Sequence, residues 1–391
     1  MTSDRATPAA GTATPAPATN SGETPDATPA PAGGPDWPGR HGAAFRGVRA
    51  LVTGGAGFIG LHLTDALLSL GATVCVIDDL SGSAADGVRA AAARVNPAAG
   101  GGPERLRFVH ASILDRDALA DAAAGAELVF HQAALGSVPA SVERPRDYHA
   151  VNVTGTLNVL QAAAAAGARR VVFAASSAAY GGSPVLPKVE TLAPDPQSPY
   201  AANKVAGEAM LRAFAHSYGG AGRGPDTVSL RYFNVFGPRQ NANSAYAAVI
   251  AAFAKALLAG TRPTIYGDGT QSRDFTHVDN AVHANLLAAR HDGPLNGCVL
   301  NVACGVRVTV AELAAAMAAA LGRPELTARH EPPRAGDVMH SQADLTAARA
   351  TLGYAPVTGF TAGLAGTVAW YRAAAAAAVV APGTTAGAAA S

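Results

Sequence analysis

The stretch Arg49-Ala50-Leu51-Val52-Thr53-Gly54-Gly55-Ala56-Gly57-Phe58-Ile59-Gly60 sets a short apolar run directly against a glycine turn and the first residues of a helix pattern. Its spacing, Gly54-x-x-Gly57-x-x-Gly60, has a physical reading. Gly54 permits a sharp turn out of the strand, Gly57 lets backbone approach a pyrophosphate, and Gly60 lets the helix lie close to the sheet. The pyrophosphate then rests on the amide groups and positive dipole end of the helix that Phe58 and Ile59 open. A glycine pattern alone carries little weight, but here a second strand follows and ends at Asp78, 18 residues beyond Gly60. A carboxylate there accepts hydrogen bonds from the adenosine ribose hydroxyls and repels a 2′-phosphate, so the expected cofactor is NAD rather than NADP.

Outward from this turn the pattern alternates. Arg49–Thr53, Thr73–Ile77, Leu106–His110, Leu128–Gln132 and Val171–Ala175 are short runs of apolar or β-branched residues. Most intervals between them carry helix-forming stretches: Phe58–Leu70, Asp115–Ala123 and Val151–Ala166. Such repetition predicts an α/β protein, a Rossmann-type doubly wound parallel sheet covered on both faces. A helix over Tyr200–Tyr218, a strand over Thr227–Phe233 and a helix over Tyr246–Leu258 continue the series. The expected organisation is a cofactor domain over 46–234, with strands returning to it from about 276–303, and a smaller α/β substrate domain over 235–372. Residues 1–45, rich in Ala, Pro, Thr and Gly, read as a disordered extension. Residues 373–391 read as an Ala-rich flexible tail, in which Ala373–Ala378 extends a helix until Pro382 and Gly383 end it.

Bulk properties narrow the partners. The chain has 391 residues and a net charge of +1 from 29 basic and 28 acidic side chains. No basic tract suggests nucleic acid, and no run of about 18 apolar residues could span a bilayer. The three cysteines, Cys75, Cys298 and Cys304, have no metal-ligand spacing, and their odd number argues against a disulfide framework. A cytoplasmic protein without metal is the expectation. His131, His277 and His283 read as structural, and Trp370-Tyr371 as a packing anchor for the last helix.

Ser198-Pro199-Tyr200-Ala201-Ala202-Asn203-Lys204 holds Tyr-x-x-x-Lys. Positions i and i+4 share a helix face, so phenol and ammonium become neighbours. The ammonium favours the phenolate, which makes Tyr200 a usable base. The pair follows the strand end Ala174-Ala175-Ser176-Ser177 by about 25 residues, and in a parallel sheet that carboxyl end overlies the cofactor crevice.

Together these residues resemble the extended short-chain dehydrogenase/reductase superfamily over roughly Arg46 to Arg372. The segments His131–Pro139, Leu186–Glu190, Leu230–Gly237, Ala245–Ile250 and Gly267–Phe275 are similar to those of NAD-dependent nucleotide-sugar 4-epimerases, UDP-N-acetylglucosamine 4-epimerases in particular. The resemblance implies that Tyr200 removes the sugar 4-hydroxyl proton while hydride passes to NAD and back. The cofactor is then regenerated in place and tightly bound. Ser176 and Ser177 would meet the reacting oxygen, and Lys204 would also bind the nicotinamide ribose. Ser112, Ile113, Gln132, Ala133, Ala134 and Asn152 would join the glycine turn in holding the cofactor. Asn234, Arg273 and Arg334 would hold the UDP diphosphate, Val249 and Tyr266 would line the uracil pocket, and Asp337 would join the substrate site. Gly136, Ser137 and the gate residue Ser341 are small, as in enzymes favouring N-acetylated sugars. A homodimer is the family expectation.

Departures and rivals bear on this reading. Ala111-Ser112-Ile113 stands where the family usually has Gly-Asp-Ile, so an adenine contact loses its charge. A 4,6-dehydratase needs Asp-Glu after the active-site serine or threonine, where this chain has Ser177 and Ala178; a decarboxylase usually has Glu nearby. A UDP-glucuronate 4-epimerase would need a polar or cationic subsite. A non-enzymatic NAD-sensing regulator typically lacks the Tyr-Lys pair, which is intact here.

Overall fold

The computed structural model describes residues 34–96, 104–219, 224–241, 248–333 and 338–380. Seven parallel strands form the central sheet: β1 (Arg49–Thr53), β2 (Thr73–Asp78), β3 (Leu106–His110), β4 (Leu128–His131), β5 (Arg170–Ser176), β6 (Asp226–Tyr232) and, after a long excursion, β11 (Cys298–Val302). Their order is β11-β6-β5-β4-β1-β2-β3. Four of the five residues of β1 and all four of β4 are buried, as strands covered by helices on both faces must be. The order reverses between β1 and β4, and the crevice above their carboxyl ends is where such sheets bind ligands.

Beyond residue 235 the chain builds a second unit and returns to the main sheet. Between β6 and β11 lie the short strands β7 (Val235–Phe236), β8 (Thr264–Tyr266), β9 (Ser272–Asp274) and β10 (Thr276–His277), with β12 (Arg307–Thr309) and β13 (Arg329–Glu331) after it. They pair as β7 with β10, β9 with β12 and β8 with β13. Phe236, Phe253, Leu257, Ile265, Phe275, Leu313, Met317, Leu364 and Tyr371 build a second core around them. However, helix Val278–Arg290, β11 and helix Thr346–Leu352 pack into the first core, through Ala284, Leu286, Leu300, Leu352 and Tyr354. The smaller unit is therefore assembled from discontinuous segments, because apolar faces at 278–302 and 343–354 are buried against the main sheet.

The described N-terminal segment is more ordered than the composition implies. Trp37–His41, expected within the disordered extension, is a short helix capped by Asp36, whose carboxylate accepts from Gly39 N–H at 3.0 Å. Phe45 is wholly buried, which anchors the segment on the first core. At the other end the last helix runs Phe360–Val380, past residue 373. Residues 1–33 and 381–391 lie outside the described residues. Trp370-Tyr371 does anchor that helix: Tyr371 is buried and its hydroxyl donates to Gln240 O at 2.8 Å.

The N-terminal helix is latched by two imidazoles. His41 Nε2 and His283 Nδ1 lie 3.1 Å apart and buried, so one ring donates and the other accepts. Burial first, then the neighbouring positive charges, pulls each ring down to about 4 from an ordinary 6.5. An undocked chain takes up protons first as pH falls, so the latch stabilises fully above 6.5 and is lost progressively toward 4. Trp37 stacks on His283 at 6.4 Å between centroids. In a Trp370→Phe background, Trp37 fluorescence should therefore change across that acid window; a flat titration there would count against the latch.

Candidate active site

A cleft of about 550 Å³ opens above the carboxyl ends of the sheet, lined by Gly54, Gly57, Phe58, Ile59, Gly60, Asp78, Ile113, Gln132, Ala133, Ala134, Gly136, Ser137, Tyr200 and Lys204 among others. Gly54 adopts φ +68°, where a Cβ would stand 2.6 Å from Ala133 N. A Cβ on Gly60 would stand 2.1 Å from Gly54 O. Both glycines are thus demanded by close backbone approach, one between β1 and β4 and one between helix and turn. Helix Phe58–Ser69 begins at Gly57 with no side chain capping it. Its first amide groups therefore face the cleft as an anion site, which fits a dinucleotide pyrophosphate.

Asp78 ends β2 on the wall of this cleft, and its carboxylate is already engaged. It accepts from Ala56 N–H at 3.0 Å, Leu80 N–H at 2.8 Å and Ser83 Oγ at 3.0 Å. A carboxylate has about four acceptor positions, so one remains for a ribose hydroxyl. The loop Ser81-Gly82-Ser83 beside it also lines the cleft.

Two expected cofactor residues are engaged with the local chain. Asn152 is buried and off the cleft wall; it accepts from Leu135 N–H at 2.9 Å and donates to Leu135 O at 3.0 Å. It pins the loop that carries Ala133 to Gly136. Ser112 turns its hydroxyl to the local chain, accepting from Leu114 N–H at 3.3 Å, while its neighbours Ala111 and Ile113 line the cleft.

Helix Pro199–Phe214 presents Tyr200 and Lys204 on its inner face. Ser198 caps it, accepting from Ala201 N–H at 3.2 Å, and Pro199 fits the first turn. Lys204 is buried; its Nζ donates to Ala174 O of β5 at 2.7 Å and lies 4.8 Å over the Phe173 ring and 5.9 Å from the Tyr200 ring. Burial pulls this ammonium down to about 8, with Glu208 opposing. The expected lowering of the Tyr200 phenol is corrected: burial raises it, and a hydrogen bond from Ser176 opposes the rise. Ser176 ends β5 and also accepts from Ala178 N–H at 3.2 Å, while Ser177 opens the 3-10 turn Ser177–Tyr180. Serine, tyrosine and lysine thus converge at one end of the cleft, on the strand beside the crevice.

The floor beneath them is a polar network absent from the sequence reading. Tyr232 OH accepts from Asn285 Nδ2 at 2.6 Å, and Gln132 Nε2 donates to Asn285 Oδ1 at 3.1 Å. His131 is held between Thr53 Oγ1 at 2.8 Å and Thr156 Oγ1 at 2.9 Å, and burial pulls it down to about 3, so it is neutral at pH 7. That supports its structural reading. Tyr148 and Arg144 also line the cleft, and no spacing in the sequence pointed to either.

Two residues past Tyr232, a second hollow of about 300 Å³ begins, lined by Asn234, Val249, Tyr266, Gln271 and Arg273 among others. Asn234 takes φ +33° and donates from Nδ2 to Asp274 O at 3.1 Å. Arg273 donates from one guanidinium nitrogen to Ser272 O at 3.0 Å and Met339 O at 3.2 Å. Beneath it, Asp274 is buried and accepts amides of Cys304 and Gly305 at 3.0 Å and Ala343 at 3.2 Å. Ser341 donates its N–H to Ser272 O at 3.0 Å, which places it beside Arg273. Arg334 and Asp337 lie outside the described residues. Among the described residues no group of three or more His, Cys, Asp or Glu could hold a metal ion, and no helix is long and apolar enough to cross a membrane. All three cysteines are free.

Fold, glycine turn and tyrosine–lysine pair define a dinucleotide-dependent α/β enzyme of the Rossmann type. The profile of the NAD dependent epimerase/dehydratase family matches residues 50–303, and the chain belongs to that family, with NAD as its cofactor. It is 40% identical over 328 residues to a UDP-glucose 4-epimerase of Mycolicibacterium smegmatis, covering 83% of this chain and 99% of that protein. A solved UDP-N-acetylglucosamine 4-epimerase from Methanobrevibacter ruminantium, in complex with UDP-N-acetylmuramic acid, is 38% identical; it aligns over 84% of this chain and 99% of its own with a TM-score of 0.76. The Thermus thermophilus UDP-glucose 4-epimerase complex with NAD is 34% identical, over 84% and 100% of the two chains, with a TM-score of 0.71.

Proposed function

We propose that this enzyme is a UDP-sugar 4-epimerase that interconverts UDP-GlcNAc and UDP-GalNAc. The observation that carries the reaction type is the convergence of Tyr200, Lys204 and Ser176 at the cofactor cleft, with a second hollow lined from the segment that follows Tyr232. Tyr200, Lys204 and Ser176 meet at the end of the cofactor cleft whose floor is Tyr232, and the hollow with Asn234 and Arg273 starts two residues further along the same segment. A nucleotide diphosphate held there would present its sugar to Tyr200. When bound, NAD accepts and returns the C4 hydride, and its cationic ring favours a nearby phenolate. Tyr200 takes the 4-hydroxyl proton and gives it back. Ser176 hydrogen-bonds the same oxygen, and Lys204 holds positive charge beside it. Because the hydride returns, the cofactor stays bound through the cycle.

The N-acetyl preference rests on space at the cleft wall. A Cβ built on Gly136 meets nothing within 4 Å, and Ser137 beside it is small. Ser177-Ala178 offers no acid and base for eliminating water. One observation favours a second reading, UDP-glucuronate 4-epimerisation: Arg144 stands on the same cleft wall as Ser137 and Tyr148 and could meet a 6-carboxylate. The test incubates purified protein, without added NAD, with UDP-GlcNAc, UDP-Glc and UDP-GlcA separately, and resolves the C4 epimers by chromatography. No epimer from any of them would sink the reaction type. Turnover of UDP-Glc equal to that of UDP-GlcNAc would sink the preference, and turnover of UDP-GlcA alone would favour the second reading. The same reading takes the protein to be a cytoplasmic homodimer, which light scattering would check for oligomeric state.

Arg273→Ala should raise KM for the UDP-sugar roughly tenfold or more, since a charge-assisted hydrogen bond contributes about 1.5–3 kcal/mol. The melting temperature should stay near that of the native chain, because Arg273 is only half-buried. An unchanged KM would remove Arg273 from the diphosphate site.

A further inference from the structure

We propose that the buried pair Glu208–Arg231 is a positioning device that keeps Lys204 cationic and thereby sets the pH range in which Tyr200 serves as the base; it rests on the roles given to those two residues above. Glu208 follows Lys204 by four residues on helix Pro199–Phe214, one turn along the same buried face. Its two carboxylate oxygens accept from Arg231 Nε at 2.8 Å and a terminal guanidinium nitrogen at 2.7 Å. The side chains are 7% and 3% exposed, so the carboxylate cannot swing away to solvent.

Arg231 is itself fixed. Its guanidinium lies 4.6 Å over the Tyr180 ring, the Tyr180 hydroxyl donates to Asn301 Oδ1 at 2.6 Å, and Asn301 N–H donates to Glu190 at 2.7 Å. The pair therefore joins the helix of Lys204 to β6, β11 and the 3-10 turn that starts at Ser177. A buried ion pair is a poor device for stability alone, since apolar side chains of like volume often serve as well or better. A fixed carboxylate one helical turn from an ammonium has an electrostatic consequence that apolar packing lacks: it favours the charged form of Lys204.

The other groups around Lys204 do not supply that charge. Ala174 O and the Phe173 ring are neutral, and His131 on β4 is neutral at pH 7. Tyr200 on the same helix, Tyr180 and Tyr232 are phenols that burial holds above their ordinary range, and Glu190 is engaged at Asn301. Burial acts against the Lys204 ammonium and Glu208 acts for it. Without Glu208, Lys204 would lose its proton at lower pH, and the phenolate of Tyr200 would lose its neighbouring charge.

The experiment measures kcat and KM against pH for native enzyme, Glu208→Gln, Glu208→Asp and the apolar double variant Glu208→Leu/Arg231→Met. Melting temperature and NAD content report folding, and the double variant guards against unfolding caused by an unpaired Arg231. The expected result for Glu208→Gln and the double variant is a narrower profile. The alkaline limb moves down by about one pH unit while the acid limb does not move up, and maximal kcat falls roughly tenfold with KM little changed. Glu208→Asp should recover part of the width. A folded double variant with native limbs overturns the proposal, as does a lowered kcat with unmoved limbs, which is what a purely structural pair would produce. Failure of the Tyr200 assignment would show separately, as near-native turnover by Tyr200→Phe.

Discussion

Tyr200→Phe should lower kcat by roughly 10²–10⁴-fold, the range of a lost general acid–base, with NAD content and melting temperature unchanged. The substitution removes one hydroxyl from a ring whose packing is retained. That hydroxyl bonds Ser176 and faces the cleft end where Lys204 stands 5.9 Å from the ring. No other described side chain at this end can replace it as a base near pH 7. His131 is locked between Thr53 and Thr156, and Tyr232 is bonded to Asn285 and pushed up to about 12 by burial. The burial that raises Tyr200 in turn means that its activation depends on local positive charge. Native activity should therefore fall on the acid side as the phenol is protonated. It should also fall above about 8, where Lys204 loses its charge. Near-native turnover by the variant at any pH would refute the assignment.

Gly60→Ala should cost roughly 3 kcal/mol, the upper range for overpacking, and strip NAD from the purified protein. The added methyl would stand 2.1 Å from Gly54 O, 2.9 Å from Gly54 C and 2.8 Å from Gly55 Cα. All three are backbone atoms of the turn itself, so no side chain can move aside. Relief requires the helix Phe58–Ser69 to back away from β1, which withdraws its uncapped amides from the cleft. Gly136→Ala, by contrast, meets open space and should leave both stability and NAD content intact. Absorbance of released cofactor and thermal melting separate the two outcomes. A Gly60→Ala protein with a full NAD complement would show that the close approach is dispensable.

The legibility of the sequence followed the range of the interactions. The glycine turn, the strand to Asp78 and the Tyr200–Lys204 spacing are local, so periodicity and spacing sufficed to place them. β5 and β6 began one residue earlier than read, and helix Pro199–Phe214 gave way to a π turn at Ala215–Gly219. These are shifts at element ends, where hydrogen-bond patterns change over a turn. Trp37–His41 and Phe45 escaped notice because an Ala- and Pro-rich composition hides two aromatic anchors whose value appears only against the first core. Asn152 and Ser112 were placed at the cofactor on resemblance, yet their hydrogen bonds close on neighbouring loops. Glu208 was within reach, at i+4 from Lys204, but its significance depends on Arg231, which comes from a different strand.

The Gly54–Gly60 turn, the alternation of strand and helix and the preference for NAD were thus determined by the sequence itself, because each depends on residues close along the chain. Tertiary structure alone decided which distant segments share a core and which side chains line the second hollow. It also decided what charge surrounds Lys204. Those outcomes depend on burial and on pairs such as Glu208–Arg231, His41–His283 and Asn285–Tyr232, whose members lie 23, 242 and 53 residues apart. No local pattern carries such information, since desolvation and Coulomb terms act through space.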